Sequence, residues 1–459
     1  MSQLTQKWQA VLDMPGCPEI KDQHRREVTA ILIENQIQAM KQEAAINGGK
    51  ITNMLNEEVS VPLVESAPAG VHGLPVNNGG TGVAMGQAGT NAQMAGYDTV
   101  LINLVRRAMP QLIAFDVCGV QPMTMPTGLI FAMKSRYNTQ DGAEALYNEA
   151  NTGFSGIGTH EGSNWADGSA FGTGTGMPTS MAEGLGSEGN PWKEMGFSIE
   201  RTSVIAKTRA LKAQYSVELA QDLKAVHGLD AEAELSNILA TEIITEINRE
   251  IIRTIYMMAE VGCEVGTAQK GVFDLDLDSD GRWSAEKFKG LLYQIEKEAN
   301  RIAQKTRRGR GNFIICSSNV ASALQMAGML DYAPQIQNNL NVNEAQTTFA
   351  GILNGKYKVF VDPYIANGAE DQFCVVGYKG ASAYDAGLFY CPYVPLQLFR
   401  AVDPATLQPV FGFKTRYGLA ANPMIQLDAG QGAMAGDADI AKTLAGKSYY
   451  YRKFTVRSL

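Results

Sequence analysis

The chain of 459 residues is short of what metal, redox or covalent catalysis requires. Its four histidines, His24, His72, His160 and His227, share no spacing that would make a metal site. Six cysteines (Cys17, Cys118, Cys263, Cys316, Cys374, Cys391) are scattered with no CxxC pair, a pattern that fits reduced thiols in a cytosol. No apolar run reaches the roughly 18 residues a membrane span needs, and MSQLTQKWQA lacks the apolar core of a secretory signal. Basic residues are not in excess: 39 Lys and Arg against 47 Asp and Glu leave a net charge of −8, so nothing suggests a nucleic-acid-binding surface overall. No catalytic, cofactor or metal residues are expected.

What is present is organised around 230–260, DAEAELSNILATEIITEINREIIRTIYMMAE. Leu235, Leu239, Ile243, Ile247, Ile251, Ile255 and Met258 step at helical spacing, and Ile238, Ile244 and Ile252 widen the stripe. Asp230 is placed to cap the helix and Gly262 to stop it, with Glu246–Arg249 and Glu250–Arg253 as i,i+3 pairs. Such a rod is about 45 Å long. A second amphipathic helix is predicted over 284–305 and shorter ones over 98–108, 215–226 and 319–327, each read from helical spacing. Strands are predicted at 126–137, 197–209, 313–316, 373–378, 388–390, 396–400, 410–417 and 448–456, and Asn354-Gly355 marks a hairpin between 349–353 and 356–361. The class is α+β.

Residues 1–65 form a separate-looking arm carrying a net −3. Its helix, Asp22–Ala45, has an apolar stripe that demands a partner helix. Beyond it, Val61-Pro62-Leu63-Val64-Glu65-Ser66-Ala67-Pro68 is held extended by its prolines, so Leu63 and Glu65 project from one face as a protease signal would. Leu32-Ile33-Glu34, Leu55-Asn56-Glu57 and Ile244-Thr245-Glu246 repeat the pattern, but the first and last fall in predicted helix.

Between strands 126–137 and 197–209, the stretch 138–190 holds 12 glycines in 53 residues, against a norm of roughly 7%, and reads as a loose, poorly packed tip. Gly172-Thr-Gly174-Thr-Gly176 lacks the strand, helix and Lys-Ser/Thr of a phosphate loop, and Gly153–Ile157 misses the nucleophile elbow by one glycine. Asp276, Asp278, Asp280 and Gly281 fit four positions of a calcium loop, but Lys287 stands where a bidentate glutamate belongs, so an acidic turn is the better reading. Arg307, Arg308 and Arg310 suit a helix C-terminus better than a nucleic-acid patch.

Several long segments, among them LVRRAMPQLIAFDVCGVQPM (104–123), NPWKEMGFSIE (190–200), FAGILNGKYKVF (349–360) and QPVFGFKTRYG (408–418), closely resemble the major capsid proteins of T4-like tailed bacteriophages. The resemblance implies an HK97-like fold. Residues 1–65 would be a scaffold-facing propeptide, 66–125 an N-arm, and 126–210 the extended E-loop with its glycine-rich insertion at 138–190. Residues 211–264 would be the peripheral (P) domain with its spine helix, 265–395 the axial (A) domain, and 396–459 strands returning to the P domain. It also implies cleavage after Glu65, with Leu63 and Ser66 in the recognised site, leaving −5 on the remainder. Implied partners are copies of itself in hexamers, the vertex capsid protein, the portal, an internal scaffold, the prohead protease, decoration proteins, a host or phage chaperonin, and packaged DNA bound without sequence preference. The expected locations are the host bacterial cytoplasm during assembly and then the virion. The pentameric vertex paralogue is the alternative within the family, and a cytosolic calcium-binding protein or enzyme using Asp276, Asp278 and Asp280 is the alternative outside it.

Overall fold

The computed structural model describes residues 3–13, 20, 22–46, 50–52, 58–60, 112–146, 149–160, 172–187, 190–229, 231–279, 281, 283–327, 330–332, 348–364, 372–382, 384–403, 408–422 and 445–459. The strands, in chain order, begin with β1 (Lys50–Thr52), β2 (Glu58–Ser60), β3 (Gly119–Val120), β4 (Thr127–Tyr137), β5 (Met195–Ile205) and β6 (Lys207–Gln214). Then come β7 (Ala259–Val261), β8 (Val272–Asp274), β9 (Phe313–Ser317), β10 (Leu330–Tyr332), β11 (Thr348–Leu353) and β12 (Tyr357–Asp362). The last are β13 (Gln372–Gly377), β14 (Leu388–Val402), β15 (Pro409–Ala421) and β16 (Ser448–Arg457). An eight-stranded mixed sheet runs β10-β11-β12-β9-β13-β16-β7, with β8 also on β16. A second sheet runs β3-β14-β15-β6, while β4 and β5 pair with each other alone. The class is α+β, as expected.

The long helix Ala231–Met258 touches both larger sheets, packing on β6 and β15 on one side and β16 on the other. Ile243, Ile247, Ile251, Ile255 and Met258 have no exposed surface, and Ile244 and Ile252 are buried beside them. Leu235 and Leu239 are only partly buried, and Ile238, expected in the stripe, is 60% exposed. Ser236 and Ala240 are buried, so the N-terminal part of the helix is packed too, and Ile238 is bare because it lies on the side of the helix opposite them. Asp230 lies outside the described residues.

Two further expectations fail for physical reasons. The helix ends at Met258 and passes straight into β7, before Gly262 is reached. Gly262 is there for close approach: a Cβ would sit 3.0 Å from the Glu298 carboxylate. Nor do the helix's charges pair along its own surface. Arg209 of β6 reaches Glu246 (2.9 Å) and Glu250 (2.5 Å), and Arg249 reaches the buried Asp362 of β12 at 2.6 Å. Exposed i,i+3 pairs contribute a few tenths of a kcal/mol, so partly desolvated partners across the fold prevail.

The second long helix, Ser284–Thr306, lies over the eight-stranded sheet and buries Leu291, Ile295, Ala299 and Ile302. It also supplies Glu298 to Arg452 of β16, a fully buried guanidinium that bonds Glu298 at 2.6 Å and Glu260 at 3.2 Å. Its basic end is engaged within the protein: Arg308 pairs with Asp385 and Arg310 with Glu296. The hairpin β11–β12 turns on Asn354 and Gly355, both at positive φ, as a type I′ turn requires. The predicted strand 197–209 is two strands, split at Ala206 because its halves pair with different partners. The predicted strands 388–390 and 396–400 are one, β14, which carries Pro392 and Pro395 through register shifts between Pro392 and Gln397. The predicted helix 98–108 lies outside the described residues.

The arm helix, Gln23–Ile46, finds its partner within the chain. Ala30, Ile33 and Ile37 meet Trp8, Val11, Leu12 and Ile20 from the chain's first residues. Val28 and Leu32 point the other way, into the main core.

Two outcomes follow from this burial. Ile247→Ala should cost about 2–5 kcal/mol in urea unfolding, and Ile238→Ala within about 0.5 kcal/mol of nothing. Burial pushes the thiols of Cys118, Cys263, Cys316 and Cys391 up to about 12, and Cys374 is raised too, chiefly by burial. At pH 8 these five should therefore stay protonated and resist iodoacetamide in the folded protein, then react once guanidinium unfolds it; peptide mass mapping distinguishes the two.

Candidate self-association face

Strands β4 and β5 form a ribbon paired from Thr127↔Ile205 to Tyr137↔Met195. Because side chains alternate along a strand, the odd-numbered residues of both strands share one face. That face presents Leu129, Phe131, Met133, Met195, Phe197, Ile199 and Ile205, each 46–61% exposed. The other face is apolar and buried at the root and polar toward the tip, where Lys134 pairs with Glu200 at 2.9 Å and Arg136 donates to Ser198 at 3.0 Å. A lone two-stranded ribbon is marginal in water, and an apolar patch of this extent marks an interaction site.

The root of the ribbon is firmly seated. Ile130 and Val204 bury against Met123, Phe389, Cys391 and Ala420. A Cβ on Gly418 would come within 2.5 Å of Val204, so glycine lets β15 approach that closely. A cavity of about 570 Å³ opens at the root, lined by Pro122, Met123, Leu129, Phe131, Val204 and Cys391, and it is continuous with the apolar face through Leu129 and Phe131. Past Ala206 the chain enters β6, where Arg209 donates to Tyr417 at 2.5 Å as well as to the two glutamates of the long helix. Burial, and then the bond to Glu250, hold the Tyr417 hydroxyl above the usual phenol range, so it remains a donor to Glu250. The ribbon is thus anchored through one sheet to the long helix.

Its far end is less loose than the glycine count suggests. Residues Ile157 and Thr175 bridge two backbone stretches, and a Cβ on Gly174 would lie 2.4 Å from the Gly153 backbone. The Tyr137 and Phe154 rings meet at 4.5 Å. The glycines here allow backbone to lie on backbone; the phosphate-loop and nucleophile-elbow patterns dissolve into that packing. A second exposed apolar set, Val217, Leu219, Val226 and Leu229, lies on and just after the short helix Val217–His227, which has no buried residue and is capped by Ser216 and closed by Gly228 at φ 67°.

The acidic turn uses its carboxylates internally. Asp278 accepts from Ala268 N at 2.7 Å and Asp274 N at 3.0 Å, and Asp276 pairs with Lys287, the residue standing where a calcium ligand was needed. Asp280 lies outside the described residues, as do Leu63, Glu65 and Ser66 of the expected cleavage site and the Leu55-Asn56-Glu57 repeat of its pattern. The other two repeats are helical: Glu34 on the arm helix binds Lys7 and Trp8, and Glu246 on the long helix binds Arg209.

Sequence reasoning placed a strand at 126–137 but missed Leu129, Phe131, Met133, Phe197 and Ile199 as surface. The signal was there in their i,i+2 spacing. Ile130, Ala132 and Val204 on the opposite face are apolar too, so alternation alone did not say which side was inward.

Comparison with known proteins fits a face that binds further protein. The profile of the family described as Major capsid protein Gp23 matches residues 94–456. The major capsid protein of Vibrio phage KVP40 is 38% identical across 99% of this chain and 100% of its own, and that of Enterobacteria phage T4 is 37% identical across 100% and 99%. The capsid vertex protein of T4 is 29% identical over 55% of this chain and 58% of its own. Among solved structures, the capsid of Myoviridae Phage XM1 aligns with 75% of this chain and 92% of that one at 9% identity and a TM-score of 0.38, a likeness too slight to carry weight. End-to-end similarity at this level and a family match over most of the length mean that the chain belongs to the Gp23 major capsid proteins, non-enzymatic subunits of the phage virion's capsid.

Proposed function

We propose that this chain is the repeated subunit of a tailed-phage head, forming hexamers that tile a closed shell around double-stranded DNA. The observation that carries this is the ribbon, whose seven exposed apolar side chains are covered when it lies over a neighbouring copy. The contact is heterologous, one surface meeting a different one, and so builds rings and lattices. On the HK97-like plan the ribbon and 138–190 form the E-loop, the long helix is the spine of the P domain, and 265–395 form the A domain that meets its copies at the hexamer axis. The acidic remainder repels the packaged phosphates and leaves the DNA free to leave. Residues 1–65 face the scaffold and are removed after Glu65 by the prohead protease, a one-way step that allows the shell to rearrange. The vertex protein, the portal, decoration proteins and a chaperonin complete the set of partners.

The vertex paralogue is the second reading. It is favoured less, because the T4 vertex protein matches only part of this chain while the T4 major capsid protein matches all of it.

Replacing Phe131 and Ile199 together by serine removes two side chains worth about 1.5–3 kcal/mol each when buried. The double variant should keep its circular dichroism and melting curve while losing six-fold assemblies in electron micrographs; unchanged assembly would refute the ribbon's role, and five-fold rings alone in the wild type would favour the vertex reading. Mass spectrometry of mature particles should find Ser66 at the N-terminus. An intact Met1 in DNA-filled heads would rule cleavage out.

A further inference from the structure

The root of the ribbon is held by more than its own sheet. The segment that leads into it runs beside β14, with Gln121 N donating to Tyr390 O at 3.0 Å and Met123 N to Pro392 O at 2.9 Å. There the β14–β15 register breaks, and Tyr393, Pro395 and Leu396 have no partner in it. A broken ladder leaves backbone groups to be satisfied by something else. Thr415 provides for Val394 O at 3.2 Å. The arm helix provides for the others. The Asn35 amide nitrogen donates to both Met123 O (2.8 Å) and Tyr393 O (3.0 Å), and the Gln36 side-chain oxygen accepts from Leu396 N at 3.4 Å. Both side chains are buried. One turn after another, the same helix grips the approach to the root: His24 Nε2 lies 3.2 Å from Val120 O, and Arg25 bonds Asp116 at 2.7 Å with its guanidinium over the Phe115 ring.

We propose that the arm helix is an internal clamp on the ribbon. By bridging Met123 O and Tyr393 O, Asn35 ties the strand entering the ribbon to the irregular stretch of β14 and so sets the direction in which the ribbon leaves the body. Losing the arm would take away the donor shared by Met123 O and Tyr393 O and the acceptor of Leu396 N, and would leave these groups to water, at a place where the ribbon's own anchor is a small apolar cluster. The ribbon then becomes free to re-aim while the two sheets and the long helix keep their packing. The device concerns the full-length chain and stands whether or not the arm is later cut off.

The test is amide hydrogen exchange on full-length protein carrying Asn35→Asp, which keeps the shape of the side chain but turns its donor into an acceptor facing two carbonyls. Exchange at Gln121, Met123 and Ala206 should quicken by about tenfold or more, with Ile315 and Val375 in the eight-stranded sheet unchanged. Unchanged exchange at the root overturns the clamp, and so does equal quickening everywhere, which would mean only that the fold is weaker. Glu34→Gln loosens the helix's outer contacts with Lys7 and Trp8 and should leave the root protected; if it opens the root as far as Asn35→Asp does, the amide bridge is not the cause. If Asn35→Asp does not fold, Gln36→Ala carries the same expectation at Leu396, and no quickening there is equally fatal.

Discussion

The structure depends on burying one face of one helix between two sheets. Ile243, Ile247, Ile251 and Ile255 are completely enclosed, and the strands that enclose them come from distant parts of the chain. Hydrophobic burial has no direction of its own. Direction is supplied by charged contacts along the same rod. Arg209 ties β6 to Glu246 and Glu250, and Arg249 and Tyr256 both reach the buried carboxylate of Asp362 in β12. Removing Arg249 would strand the buried Asp362 carboxylate, so this contact fixes orientation even where its net contribution to stability is small.

The ribbon inverts that arrangement. Apolar side chains that a single chain would ordinarily enclose stand in solvent, while Lys134, Arg136 and Glu200 pair on the opposite face toward the tip. A subunit that must meet its neighbours needs such an incomplete surface, and keeping it on a two-stranded extension leaves the core whole. The glycine-dense stretch at the ribbon's end serves the same economy of space, because backbone laid on backbone folds with little side-chain core.

Much of the architecture was legible in the sequence because period and punctuation agreed. The second long helix, the Asn354-Gly355 hairpin and β16 each stand within a residue or two of where spacing put them, since both pattern and turn chemistry spoke for them. The misses share a cause. Ile238 is expected to widen the stripe but lies across the helix from the buried Ser236 and Ala240, so its apolar character alone misplaces it. Gly262 looked like a stop and is a contact, because sequence shows a missing Cβ without showing what fills the space. Arg209, Arg249 and Arg452 have partners tens or hundreds of residues away, which no local spacing encodes. Of the self-association face, the strands could be read but not which side was bare. The cleavage signal at Leu63, Glu65 and Ser66 is legible only as sequence, since it falls outside the described residues.

The passage from the long helix directly into β7 has a mechanical consequence. With no turn between Met258 and Ala259, and with β7 laddered to β16 beside the buried Arg452, helix and sheet edge form a crank of one piece. A load on the helix therefore passes through the backbone itself into the β7–β16 ladder, with no intervening turn to bend.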